Sequence, residues 1–459
     1  MKYDLIVIGG GPAGYVGAIR AAQLGKKVAC VEKERAGGTC LNWGCIPTKS
    51  LLRNAELYHL LQKRAADFGF AFENLSYDWA KVISRSRSVA DKLAGGVEYL
   101  FKKNKIDYLR GEAAIAGPGK VTYKTSDGQE LVIEATHILI ATGAVSRDLP
   151  GLSTNGKTVV NSHDAMILEK QPKRLIVIGA GAIGVEFAYF FNAFGTDVTL
   201  VEMLPNVLPV EDTEISVAIE KSLAKQGIKI FTSAKFVKAE TSDTGVRVTI
   251  EGKKQETLEG DCVLVAVGVA PLLPKGAQLK LDKKGYIEVN DRYETNLSGV
   301  YAAGDVIGPP WLAHVASWEA IQAVEGMFIT NREPKRVKVY PGCTYCQPQV
   351  ASVGLTERAA KEQGLKFKVG KFPFSASGKA LAVGEPEGFV KLIIGEPYGE
   401  ILGAHIIGPE ATELIAELDL AMTLEATFEE IEETIHAHPT LSEAIHEATG
   451  AAFGMAIHI

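Results

Sequence analysis

The side chains best suited to chemistry in this sequence lie in two short segments near opposite ends of the chain. Near the start, Gly37-Gly38-Thr39-Cys40-Leu41-Asn42-Trp43-Gly44-Cys45-Ile46-Pro47-Thr48-Lys49-Ser50 places two cysteines five positions apart beside a helix start. Gly44 and Pro47 permit a distorted first turn, which would let the two sulfurs come close enough to bridge. A thiolate at a helix N-terminus is stabilised by the free N–H groups and the dipole, so reversible oxidation is the natural use of such a pair. Near the end, Thr434-Ile435-His436-Ala437-His438-Pro439-Thr440-Leu441-Ser442-Glu443 offers two histidines and an acid. Thiol–disulfide exchange needs a base to make the attacking thiolate and an acid to return the proton, and imidazole suits both near neutral pH. Taken singly, Lys49 reads as a solvated helix lysine and each histidine as a surface or packing residue. His436, His446 and His458 keep that reading.

The elements that must position these groups recur as two copies of one unit. The apolar run at residues 5–8 leads into Gly9-Gly10-Gly11-Pro12-Ala13-Gly14, a helical stretch at 15–24 and Gly25, then a second strand at 27–31 that ends in Glu32. The unit returns with every landmark shifted by 170: a strand at 175–178, then Gly179, Gly181 and Gly184, a helix at 185–194, Gly195, a strand at 197–201 and Glu202. In each copy the first glycine permits a tight turn, the second lets the backbone approach a pyrophosphate, and the third lets helix and strand pack closely. The pyrophosphate rests on the helix N-terminus, and the terminal acid accepts from ribose hydroxyls. One such glycine pattern is weak support, because glycines in turns are common; two complete units are much stronger. Glu202 would repel a 2'-phosphate, and Met203-Leu204-Pro205 supplies no arginine, so the second site is expected to take NAD rather than NADP. The first site is expected to take FAD, because two further segments suit a longer cofactor. These are the strand at 137–140 ending in Ala141-Thr142-Gly143, and the segment 295–305 ending in Asp305, whose acid can hold ribityl hydroxyls. Alone, Asp305 reads equally well as a turn or helix cap.

The cysteine segment resembles the active disulfide of the pyridine nucleotide-disulfide oxidoreductases, and its Cys-Ile-Pro-Thr-Lys ending resembles the dihydrolipoyl dehydrogenase branch of that family. The resemblance runs over essentially the whole chain. It implies that Cys40 is the interchange thiol that meets substrate and that Cys45 is the charge-transfer thiol facing the flavin. It also implies that Lys49 lies beside the flavin with Glu186 as its ionic partner. Thr39, Ala113 and Ala313 fall where the family touches FAD; Ile183, Val237 and Gly268 fall where it lines the NAD pocket. The segment His438-Pro439-Thr440-Leu441-Ser442-Glu443 resembles the family's His-Pro-Thr-x-x-Glu signature, which implies that His438 is the base and that Glu443 orients its ring. The implied activity is oxidation of protein-bound dihydrolipoamide to lipoamide, with NAD+ reduced to NADH. The implied partners are a second copy of the chain, whose disulfide His438 serves, and the lipoyl domains of 2-oxo acid dehydrogenase complexes or the glycine cleavage lipoyl carrier.

Length and composition agree with such an enzyme. A chain of 459 residues exceeds what one core can hold together. The expected fold is α/β: two Rossmann-like dinucleotide-binding domains, for FAD and NAD, with a C-terminal α+β dimerisation domain. The expected division is 1–147 for FAD, 148–270 for NAD, 271–337 for a central segment completing the FAD site, and 338–459 for the interface. A net charge of −6 without a long basic stretch argues against nucleic acid, and no apolar run approaches the ~20 residues that cross a bilayer. A strand begins almost at Met1, which leaves no room for a signal peptide and suggests a cytoplasmic protein. Paired strands are expected at 389–394 and 401–407, followed by helices at 411–424 and 428–434.

Some positions depart from the family pattern. Val269-Ala270-Pro271 stands where arginines are common, so the exposed edge of the NAD pocket is expected to differ. In Cys343-Thr344-Tyr345-Cys346-Gln347-Pro348-Gln349, Cys346 replaces Thr and Gln349 replaces Glu. A Cys-x-x-Cys invites a metal or redox reading, yet no second pair or nearby histidine completes a tetrahedral site. Packing thiols are expected there, as for Cys30 and Cys262. Glu202 speaks against an NADP-dependent glutathione reductase, and the terminus lacks the vicinal cysteines of mercuric reductase. Cys40, Cys45, His438 and Glu443 together speak against a purely structural flavoprotein subunit.

Overall fold

The computed structural model describes residues 2–125 and 127–459. Its contacts divide the chain into two compact units. The first draws on residues 1–50, 80–147 and 269–338, and the second on 51–79, 148–268 and 339–459.

In the first unit, strands Asp107–Arg110, Val28–Glu32, Lys2–Ile8 and Glu130–Ile140 lie side by side in parallel, with Val300–Ala302 pairing the last of them. The far end of Glu130–Ile140 pairs antiparallel with Lys120–Lys124, and Glu112–Gly117 closes that edge. Val28–Glu32 is buried along its whole length, as a strand covered on both faces should be, which is why its sequence runs apolar without alternation. Helix Pro12–Gln23 starts with proline inside its first turn, where the missing N–H costs no bond.

The second unit repeats that plan. Lys229–Phe231, Asp197–Val201, Arg174–Ile178, Cys262–Val265 and Val159–Val160 form a five-stranded parallel sheet, and helix Ala182–Ala193 follows the glycine turn. A three-stranded antiparallel sheet, Lys235–Ser242, Gly245–Glu251 and Gln255–Gly260, accompanies it. Toward the end of the chain, Pro341–Thr344, Gln349–Gly354, Ile401–Gly408, Phe389–Gly395 and Phe367–Pro373 make a five-stranded antiparallel sheet. The expected hairpin is present with Phe389 opposite Ile407, and helices Ala411–Thr423 and Phe428–Glu433 follow within a residue of expectation. Sheet and helices share a core that includes Phe372, Leu392, Ile406, Ile415 and Ile445.

A buried ion cluster ties parts of this second unit together. The Lys391 side chain is 1% exposed, and its Nζ donates to Asp212 Oδ1 at 2.9 Å, Glu214 Oε1 at 3.0 Å and Glu357 Oε2 at 2.7 Å. Asp212 also caps helix Thr213–Lys225 and accepts from the Glu357 N–H. Burial alone would lower the Lys391 pKa, but the three carboxylates outweigh it and raise it; the burial of Asp212 is likewise overcome by its bonds, so its pKa falls. Removing one partner of such a cluster leaves an uncompensated buried charge. Lys391→Met is therefore expected to destabilise the protein by about 3–5 kcal/mol, read from urea unfolding near neutral pH. The lowered carboxylates contribute stability above their ordinary pKa range and lose it as pH falls through the folded values, so the difference between variant and wild type should shrink in acid.

Candidate active site

The two glycine turns have matching geometry. Gly9 has φ +104 and Gly179 φ +103, and a Cβ added to either would come within 2.3 Å of a carbonyl oxygen, of Ala141 and Ala266 respectively. At Gly14 and Gly184 a Cβ would lie 1.9 Å from the carbonyl oxygen of the first glycine. Only glycine is possible at these four positions. By contrast, a Cβ at Gly11 would meet nothing nearer than 3.8 Å, and one at Gly181 nothing within 4 Å. The middle glycine of each turn faces open space, as close approach by a pyrophosphate requires.

The acids at the strand ends do a job that spacing alone did not disclose. Glu32 Oε2 accepts from the Gly10 N–H at 2.6 Å and its Oε1 from the Glu34 N–H at 2.7 Å. Glu202 repeats this with the N–H groups of Ala180 at 2.7 Å and Leu204 at 2.9 Å. Each acid thus clamps its glycine turn. Every carboxylate oxygen keeps a further lone pair, so ribose hydroxyls can still be accepted.

Other features of the first unit fit a long dinucleotide. The Thr142 hydroxyl, just past the central strand, is buried without a hydrogen-bond partner, a vacancy that a ligand group can fill. Gly143 beside it has φ +72 and open space ahead. Burial raises the Asp305 pKa to about 6 against the pull of its own backbone N–H, so this acid is poised to share hydrogen bonds with hydroxyls. Ala313 opens helix Ala313–Phe328, and Ala113 lies half-buried on Glu112–Gly117. In the second unit Ile183 is 41% and Val237 46% exposed, and Gly268 has φ +101 with nothing within 4 Å.

Cys40 and Cys45 occupy two helices. Cys40 lies in the short helix Gly38–Trp43, and Cys45 opens helix Cys45–His59. Between them Gly44 turns the chain at φ −145, ψ −117, and a Cβ there would press 3.1 Å from the Thr39 carbonyl oxygen. This corner brings the sulfurs together: the Cys40 thiol is hydrogen-bonded to the Cys45 side chain. That bond is the main cause of a strong rise in the Cys40 pKa, followed by burial and the second sulfur; the Lys49 charge and the Cys45 backbone N–H oppose the rise without cancelling it. All six cysteines are free thiols here.

Two residues that sequence reasoning passed over hold this corner. Asn42 is 2% exposed, and its Nδ2 donates to the carbonyls of Ala36 and Gly38 at 3.0 Å each. Arg87, from helix Trp79–Lys103, donates to the Asn42 carbonyl at 2.7 Å and stacks 4.7 Å from the Trp43 ring. The only available signal was their place: a polar amide and a bulky indole crowded between the cysteines, and one of two arginines on an amphipathic helix.

The segment 436–443 lies in the second unit. His438 Nδ1 is 2.8 Å from Glu443 Oε1, and Glu443 Oε2 accepts from the Thr440 N–H at 2.8 Å. The three-residue spacing from Thr440 to Glu443 closes this turn and sets the acid in the first turn of helix Glu443–Ala451, where the dipole favours a carboxylate. What burial Glu443 has would raise its pKa, but the Thr440 N–H and His438 together lower it. The His438 side chain is 79% exposed and still held in one orientation. His436, read as a packing residue, is bonded through Nε2 to Glu417 Oε1 at 2.7 Å and through Nδ1 to the Thr434 carbonyl. Glu186 is buried and accepts from the Tyr345 N–H at 3.0 Å. Cys346 is fully buried with its thiol on the Pro348 carbonyl, as a packing thiol would be, and among the described residues no group of three or more His, Cys, Asp or Glu could hold a metal.

The chain belongs to the pyridine nucleotide-disulphide oxidoreductases: that family matches residues 3–320, and its dimerisation domain matches residues 340–449. Relatives along nearly the whole length are named dihydrolipoyl dehydrogenase. One from Zymomonas mobilis is 46% identical across 99% of both chains, and one from Bacillus subtilis is 44% identical across 100% of this chain and 99% of its own. Among solved structures, LpdA from Mycobacterium tuberculosis superposes with a TM-score of 0.90 at 27% identity, covering 97% of this chain and 98% of that one. The flavoprotein disulfide reductase RclA from Escherichia coli gives 0.87 at 27% identity, over 98% and 99%. Among the described residues, no helix is long and apolar enough to cross a membrane.

The thiol geometry yields a direct expectation. Mild oxidation of the native protein by diamide should join Cys40 to Cys45 within one proteolytic peptide. Cys30 and Cys262 should stay reduced, being 0% and 3% exposed, with burial pushing the Cys262 thiol up to about 12 and that of Cys30 higher still. Peptide mapping that finds either buried thiol in the first cross-link would contradict the assignment.

Proposed function

We propose that this chain is a dihydrolipoyl dehydrogenase, with FAD held by the first glycine turn and NAD+ by the second. The observation that carries the reading is the hydrogen-bonded Cys40–Cys45 pair at a helix start, in a chain that also presents an oriented His438–Glu443 pair. Gly9, Gly11, Gly14, Glu32, Thr39, Lys49, Ala113, Ala141, Thr142, Gly143, Asp305 and Ala313 would hold FAD. Gly179, Gly181, Ile183, Gly184, Glu186, Glu202, Val237 and Gly268 would hold NAD. The four-part division at 147, 270 and 337 belongs to the same reading, as does a cytoplasmic setting.

The exchange steps follow from the chain's own groups. His438 Nε2 takes the proton of one dihydrolipoamide thiol, while Glu443 holds Nδ1 and stabilises the imidazolium that results. The substrate thiolate attacks Cys40 Sγ; the Cys40–Cys45 bond breaks, and Cys45 leaves as thiolate. Once the imidazolium has released that proton to solvent, neutral His438 takes the proton of the second substrate thiol, whose thiolate attacks the substrate sulfur of the mixed disulfide, closing the lipoamide ring and releasing Cys40. His438 returns a proton to Cys40. Because Cys40 holds its proton strongly, the charge of the reduced pair belongs on Cys45, at the positive end of helix Cys45–His59. Bound FAD supplies the two-electron relay that restores the disulfide and delivers a hydride equivalent to NAD+.

The exposure of His438 supports a homodimer in which each base serves the partner's disulfide, in keeping with the matched dimerisation domain. The lipoyl domains of 2-oxo acid dehydrogenase complexes or the glycine cleavage carrier would bring the substrate.

The test is NADH formation from dihydrolipoamide. Turnover is expected with NAD+ and should vanish in Cys45→Ser; activity confined to NADPH and glutathione disulfide would defeat the proposal. Glu443→Gln keeps the shape but loses the charge, and should lower kcat by about 10²-fold or more, the scale of general-base catalysis. Glu202→Ala should narrow the preference for NAD+ over NADP+, because it removes the carboxylate that would face a 2'-phosphate. An unchanged ratio of kcat/KM values would remove Glu202 from that role.

A further inference from the structure

A cavity of about 410 Å3 in the first unit is lined by Arg147, Lys284, Tyr286, Pro309 and Trp311, and its lining is unusual in what it leaves unmatched. Tyr286 is 2% exposed as a whole residue and lines the cavity. Its phenol hydroxyl can both donate and accept a hydrogen bond. Trp311 lies beside it, ring centroids 6.1 Å apart, and is 44% exposed. That leaves an indole face on which a flat ring can stack.

The two cations are set in place by local structure. Lys284 lies in a tight turn in which Asp282 Oδ1 accepts from the N–H groups of Lys284 and Tyr286, and the Asp282 N–H donates to the Tyr286 carbonyl. Arg147 follows strand Ala144–Ser146, which pairs antiparallel with Val269–Pro271, and its guanidinium donates to the Val269 carbonyl at 3.2 Å. Neither cation has a carboxylate within ion-pairing distance among the described residues. Two unneutralised cations, a phenol and an open indole make a chemically consistent set. An arginine offers a forked donor to phosphate, a lysine adds a point charge, and the aromatic accepts a base or a nicotinamide by stacking. The volume falls in the range of small-molecule sites.

The geometry points to a nucleoside phosphate site here, with the phosphate on Arg147 and Lys284, a ribose or phosphate oxygen on the Tyr286 hydroxyl, and the ring on Trp311. The arginine also bears on the departure at Val269-Ala270: where this chain lacks arginines after Gly268, Arg147 supplies a cation to the same strand pair from its opposite member. Two sources carry this chemistry. One is a part of the pyridine dinucleotide, in which case the inference rests on the activity proposed above; the other is a free nucleotide acting as a separate ligand.

The experiment titrates the flavin-loaded protein by calorimetry with 5'-AMP and with nicotinamide mononucleotide, following tryptophan fluorescence in parallel. At least one of them should bind saturably, with quenching that is lost in Trp311→Leu. Affinity should fall at least ten-fold in Arg147→Ala/Lys284→Ala and several-fold in Tyr286→Phe, with circular dichroism and bound flavin unchanged. If NADH displaces the probe and the double variant raises the KM for NAD+, the ligand is the dinucleotide; if the probe still binds beside saturating NADH, it is a separate nucleotide. Binding of both probes with undiminished affinity in the double variant, or no saturable binding up to about ten millimolar, would overturn the site. The binding arm needs no turnover, so its failure is separable from failure of the proposed activity.

Discussion

The proposed redox pair depends on the corner at Gly44. A single continuous helix through residues 38–59 would set Cys40 and Cys45 five positions apart, facing different directions, with no contact between sulfurs. Breaking the helix at a glycine, and starting the next one at Cys45, converts a sequence spacing into a hydrogen-bonded pair. The break also places one sulfur of the pair at the positive end of a fifteen-residue helix. The pair is therefore unequal: the Cys40 pKa is raised, and its partner opens a helix, where charge is favoured. The buried amide of Asn42 and the stacked guanidinium of Arg87 keep the corner from relaxing.

The same logic of a rigid backbone organises the segment at 436–443. Thr440 and Glu443 close a turn through a backbone N–H, so the carboxylate that holds His438 is itself held by the main chain. Lowering the Glu443 pKa keeps that carboxylate ionised as the pH falls, which preserves the orientation of His438 over the range in which imidazole exchanges protons. The neighbouring His436–Glu417 pair fixes the start of the segment. Reactive exposure at His438 is thus combined with a well-anchored support.

How much of this the amino-acid sequence disclosed follows from how local each constraint is. The glycine turns were legible because the requirement is steric and falls on single residues: no side chain fits 1.9 Å from a carbonyl oxygen, so glycine recurs at an offset of 170. The strands and helices near residues 389–433 were legible from periodicity. The role of Glu32 and Glu202 was half legible, since their position at a strand end was evident while their grip on the turn N–H groups was not. The Lys391 cluster was invisible, because its members are spread over residues 212–391 and each alone looks like a surface charge. Asn42 and Arg87 were missed for the same reason: their partners are backbone carbonyls, which leave no mark in sequence. Tyr286 and Trp311 acquire meaning only when a turn and a loop bring them together.

The central claim is that the reduced pair carries its negative charge on Cys45 and keeps its proton on Cys40. Visible absorption of the flavin-loaded protein after addition of one two-electron equivalent tests it most directly. A long-wavelength band from thiolate to flavin should appear in the wild type, persist in Cys40→Ser and be missing from Cys45→Ser. A band that survives loss of Cys45 and disappears with Cys40 would contradict the account.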